Sequence, residues 1–64
     1  MTKRKHKWVE MTLINDEYSS DEELARFFLN EGISKEAVYV IMGQRNEALR
    51  NPFKFSLNME GVLL

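Results

Sequence analysis

The chain has 64 residues, 44% of them hydrophobic, with no cysteine and a formal charge of −1. A chain this short supports one domain with a marginal core, burying about 60% of the surface its unfolded form exposes, and without cysteine it has neither disulfide staples nor thiolate metal ligands. One histidine, no glycine-rich phosphate loop and no metal-ligand spacing leave out the common catalytic constellations. No enzyme activity, catalytic residue, cofactor or metal site is therefore expected.

Residues 3 to 7 hold Lys3, Arg4, Lys5 and Lys7 around His6, and this cluster predicts a flexible basic arm over residues 1 to 6 ahead of a single domain over 7 to 64. Along residues 7 to 14, Val9, Met11 and Leu13 alternate with Trp8, Glu10, Thr12 and Ile14. That period of two predicts a strand. Asp16, Glu17, Asp21, Glu22 and Glu23 follow, with no base between Asn15 and Leu24.

Two helices are predicted next, over residues 20 to 31 and 34 to 51. Ser20 with Glu23 fits a capping box, and the carboxylates of Asp21, Glu22 and Glu23 suit the positive end of the helix dipole. Leu24, Phe27 and Phe28 repeat at i, i+3, i+4 and define an apolar face that Ala25 and Leu29 widen. Gly32 closes this helix and Ser34 caps the next, with Ile33 and Val38 placed as a hydrophobic staple. The second helix carries Ala37, Val38, Ile41, Ala48 and Leu49 on one broad stripe, with Tyr39, Val40 and Met42 spreading apolar surface around more of the helix and Tyr39 and Met42 read as core rather than recognition groups. Gly43 lies inside this helix, where a bend, a close packing contact or an early end near Met42 is the expected consequence. Asn51-Pro52 stops the helix, since a residue preceding proline disfavours the α region.

Phe53, Phe55 and Leu57 then alternate with Lys54, Ser56 and Asn58 and predict a second strand. Beyond a turn at Met59-Glu60-Gly61, Val62-Leu63-Leu64 reads as a short third strand or an apolar tail. The fold class that follows is α+β, in the order strand, helix, helix, strand, with two helices packed on a small antiparallel sheet. Its core is expected to set Val9, Met11, Leu13, Phe55 and Leu57 against Leu24, Phe27, Phe28, Val38 and Ile41.

Setting aside the four bases of residues 3 to 7, five bases face ten acids, so the body carries about −5 by counting. A body of that sign repels phosphate and favours a protein partner. The expected function is a small non-enzymatic regulator that binds a protein and inhibits or redirects it, with Trp8, Asp21 and Glu22 as candidate interface residues. In size and composition the chain resembles small phage or mobile-element regulators. A homodimer is also expected, because oligomerisation is a common way to stabilise so small a core. The basic start is not followed by a continuous apolar stretch, so no signal peptide is expected, and the longest apolar run, residues 37 to 42, falls far short of the roughly 20 residues of a membrane span. The expected location is cytoplasmic.

The alternative function is a dimeric nucleic-acid-binding regulator. The order of a strand over 7 to 14, a helix, Gly32-Ile33-Ser34 and a second helix loosely resembles ribbon-helix-helix repressors. That resemblance implies paired strands in the major groove, presenting Trp8, Glu10, Thr12 and Ile14, and a second helix whose start contacts phosphate. In this reading Lys3, Arg4, Lys5, Lys7, Arg45 and Arg50 supply the attraction.

Overall fold

The structure is a computed structural model that describes residues 3 to 59, apart from the side chain of Lys3. Those residues form four helices: α1 (Lys3–Asn15), α2 (Asp21–Asn30), α3 (Lys35–Met42) and α4 (Arg45–Arg50). Among the described residues there is no strand and no sheet. The α+β expectation is thereby corrected to an all-helical fold. The segment Val62-Leu63-Leu64 lies outside the described residues.

The segment expected as a first strand is helical because its buried pair satisfies both periods. Val9 and Leu13, both fully buried, are four apart, a spacing that returns to the same side in a strand and in a helix alike. The neighbours decide between them. A strand would bury Met11 with that pair, whereas a helix turns it about 200° away from Val9; it is 41% exposed. His6, Glu10 and Ile14, half-buried, complete a helical face. The four basic residues of 3 to 7 accordingly lie in the first turns of α1.

The segment expected as a second strand crosses α1 as irregular chain. Its backbone groups are satisfied by side chains: the Leu57 N–H donates to Glu10 Oε2 at 2.9 Å, and His6 Nε2–H donates to the Leu57 carbonyl at 3.0 Å. Leu57 is buried while Phe53 is fully exposed. The alternation therefore marks one inserted apolar side chain rather than a sheet face.

The junction between α2 and α3 follows its residue chemistry closely. Ser20 and Glu23 form both arms of the capping box, and Ser34 Oγ accepts from the Ala37 N–H at 3.2 Å. Gly32 takes a φ of +92°, the left-handed conformation. Ile33 N–H donates to Phe28 O and Gly32 N–H to Leu29 O, which is the Schellman pattern that satisfies the last carbonyls of α2. The helix expected over 34 to 51 divides at Gly43-Gln44 into α3 and α4. The Gln44 side chain stabilises this break, donating to Val40 O and to Asn58 O while accepting from the Asn58 N–H.

The core sits where α2 and α3 pack together and α1 packs on α4. Val9, Leu13, Phe28, Ala37, Ile41 and Ala48 are fully buried, and Leu24, Ile33, Val38 and Leu57 nearly so. Phe27 and Met11, expected in the core, are each about two-fifths exposed. For Phe27 the reason is geometric: adjacent residues point about 100° apart on a helix, so Phe27 and Phe28 cannot both face one centre.

Candidate protein interface

The half-exposed aromatics form one patch. Trp8 on α1 lies 5.7 Å from Phe27 and 5.8 Å from Phe28, the latter edge-to-face at 84°. Phe28 is fully buried, while Trp8 is 37% and Phe27 42% exposed. One ring thus anchors the pair to the core as the other two present a fixed apolar edge to solvent. Met11 stands beside Trp8, at a shallow depression lined also by Thr12, Asn15 and Asp16.

A second surface lies on the other flank of α2. Ala25 and Phe27 are about 200° apart around the helix, so the flank that carries Ala25 faces α3. There an open groove of about 600 Å³ is lined by Ala25, Val38, Tyr39 and Met42, with Asp21, Glu22, Lys35 and Gly43 around them. Tyr39 is 83% exposed, a wall of this groove rather than part of the core.

Of the residues singled out for protein binding, Trp8 belongs to the first surface, and Asp21 and Glu22 to the second; the structure separates them by the width of α2. Both carboxylates are well exposed and each has a cationic neighbour. Asp21 Oδ1 accepts from Arg45 at 2.8 Å and Glu22 from Arg26 at 3.1 Å.

The residues named for nucleic-acid contact are not assembled into one face. Arg4 and Lys7 are exposed and Lys5 half-buried on α1, and Lys7 pairs with Glu10 at 3.3 Å. The side chain of Lys3 is outside the described set. Arg50 is exposed on α4, but Arg45 is 4% exposed. Its guanidinium donates to Asp21, to Asp16 O and to Ser19 O, so it clasps the α1–α2 connection from within. That connection follows the C-terminal end of α1, roughly 16 Å along the helix from Lys5 at 1.5 Å per residue. The paired strands implied by the ribbon-helix-helix resemblance are absent, since residues 7 to 14 are helical.

Three carboxylates are held as stronger acids than usual by main-chain donors. Glu10 is lowered chiefly by the Leu57 N–H, with Lys7 adding to it; Asp16 chiefly by the Ser19 N–H; and Glu23 chiefly by the Ser20 N–H. Each of these carboxylates accepts a hydrogen bond from that main-chain N–H. Among the described residues no group of three or more His, Cys, Asp or Glu is arranged to hold a metal ion, and no helix is long and apolar enough to cross a membrane.

Phe27 and Tyr39, expected in the interior, are exposed, Met42 packs against the core as expected while also lining the groove, and Glu10 and His6 emerge only in the structure as tethers of the chain after α4. The adjacency of Phe27 and Phe28 was the one signal that exposed the first. The tethers had none, because their partner is a backbone 47 and 51 residues away.

Comparison with known proteins gives no match: no family model fits the chain, and no curated protein or solved structure is significantly similar to it.

Proposed function

We propose that this chain is a small non-enzymatic regulatory protein that binds a partner protein and inhibits or redirects it. The observation that supports this reading is the aromatic patch of Trp8 and Phe27, held by buried Phe28 yet open to solvent. Rings fixed before binding lose little conformational freedom on association, and tryptophan is enriched among the residues that dominate interface energy. A 64-residue domain has little apolar area to spare, so leaving two aromatic rings and Met11 at one edge has a stability cost that a partner would offset.

The test uses the full chain as bait and compares it with Trp8→Ala and Phe27→Ala variants, each first shown by circular dichroism to retain helix. A specific partner should lose about 30-fold or more in affinity for the Trp8→Ala variant, the scale of an interface hot spot of 2 kcal/mol. Equal binding of wild type and both variants would reject the patch as the interface. Tight, salt-sensitive binding of the full chain to duplex DNA, lost when Arg4 and Lys7 are replaced by alanine in a chain that keeps its helix, would replace this reading with the nucleic-acid one.

A further inference from the structure

We propose that the groove between α2 and α3 is a second docking site, and that its occupant is a basic amphipathic helix of a partner protein. This surface is separate from the Trp8 patch, and its test does not depend on that patch binding anything.

Shape argues for a helix. The groove is floored by Ala25, Val38 and Met42 and walled by Tyr39, and both bordering segments are helices whose backbone groups are paired internally. No open sheet edge is offered for an added strand, so recognition must run through side chains, as when a partner helix lays anchors at i, i+3 or i+4 and i+7 into a groove. The eight residues of α3 span about 12 Å at 1.5 Å per residue. That matches roughly two turns of a partner helix.

Charge selects the kind of helix. Asp21 and Glu22 border the groove at the start of α2, their side chains 80% and 83% exposed. Among the described residues only these two acids line the groove, but Glu17 and Glu23 lie close by in sequence and Asp16, on the Trp8 side, stands 4.0 Å from Arg45, so the start of α2 gathers five carboxylates around the guanidiniums of Arg26 and the buried Arg45. The excess is negative at this end, while Lys35 marks the other end of the groove, at the start of α3. A helix with lysine or arginine beside its apolar stripe meets that field with attraction, and an acidic one meets repulsion.

The experiment titrates isotope-labelled full-length protein with a small panel of synthetic helix-forming peptides bearing Leu, Phe or Met anchors, each made with lysine flanks and again with glutamate flanks. The lysine peptides are expected to shift the amide resonances of Ala25, Val38, Tyr39, Met42 and Gly43 and to bind at least tenfold more tightly than their glutamate counterparts, with the preference narrowing in high salt. Tyr39→Ala should weaken binding fivefold or more. Glu22→Lys, whose native partner is only the exposed Arg26, should abolish or reverse the charge preference without unfolding the protein.

Equal affinity for both peptide sets, shifts centred on Trp8 and Phe27, or no groove shifts with any peptide would each overturn the proposal. So would a different occupant: a dimer seen by sedimentation and dispersed by Tyr39→Ala, or groove resonances that move in the free protein when Leu63→Asp is introduced, marking the chain's own Val62-Leu63-Leu64 in place.

Discussion

Arg45 shows how one residue joins parts of the chain that local rules treat separately. Its guanidinium is buried, and its hydrogen-bond acceptors are two main-chain carbonyls and the exposed carboxylate of Asp21, with the Asp16 carboxylate farther off at 4.0 Å. Removing the arginine should therefore hurt more than removing the acid. Arg45→Ala is expected to cost about 2 kcal/mol by leaving the Asp16 and Ser19 carbonyls without their donor, whereas Asp21→Asn should cost under about 1 kcal/mol because an exposed pair is screened by solvent. Urea unfolding of the two variants distinguishes them, and equal losses would contradict the clasp. Glu10 plays a comparable part for the chain after α4. Its folded-state acidity, like that of Asp16 and Glu23, is raised relative to the unfolded chain, so the folded form binds fewer protons. The stability they contribute is complete above the ordinary carboxylate range near pH 4 and is lost as pH falls through the lowered folded values. The urea midpoint should thus hold steady from about pH 7 to 5.5 and fall below about pH 4.5, with a shallower fall for Glu10→Gln.

At the scale of the element, the two glycines near helix ends behave oppositely for a reason visible in their backbones. Gly32 has φ +92° with open space where a Cβ would sit, while Gly43 has φ −63° and would place a Cβ at ordinary contact, 3.6 Å from the Tyr39 and Val40 carbonyls. Gly32→Ala should destabilise by about 1–2 kcal/mol through left-handed strain alone, and Gly43→Ala should stabilise by about 0.5–1 kcal/mol by restricting the unfolded chain. Thermal melts of the pair give the check; a shift of the same sign in both would mean that one backbone conformation is misassigned. Ser20→Ala removes the hydroxyl of the capping box and should cost about 1 kcal/mol. These helix ends were legible beforehand, because caps, the Schellman turn and the stop before Pro52 involve residues within six of each other.

For the whole molecule, the decisive quantity is how much apolar surface so short a chain can close over. Among the described residues Phe28 is the largest fully buried side chain; it contacts both Trp8 and Phe27 and lies in the core cluster. Phe28→Ala should cost about 3–5 kcal/mol, a large share of the total stability of a domain this size. The expected result is loss of the cooperative melt near physiological temperature, with Trp8 fluorescence shifted to that of a solvated indole. Little change would mean that the helices pack on a different centre.

Local residue chemistry was enough to specify α2, the start of α3, their caps, the turn at Gly32 and the stop at Asn51-Pro52, because each rests on contacts between near neighbours. It also determined that Leu24, Phe28, Val38 and Ile41 are interior. Long-range packing, by contrast, makes residues 7 to 14 helical and 53 to 57 irregular and sets Asp21 and Glu22 apart from Trp8. The physical reason is shared: a four-residue spacing such as Val9 to Leu13 is compatible with strand and helix alike. The choice between them was made by groups far along the chain, the Leu57 backbone closing on His6 and Glu10 of α1, a pairing that no local periodicity encodes.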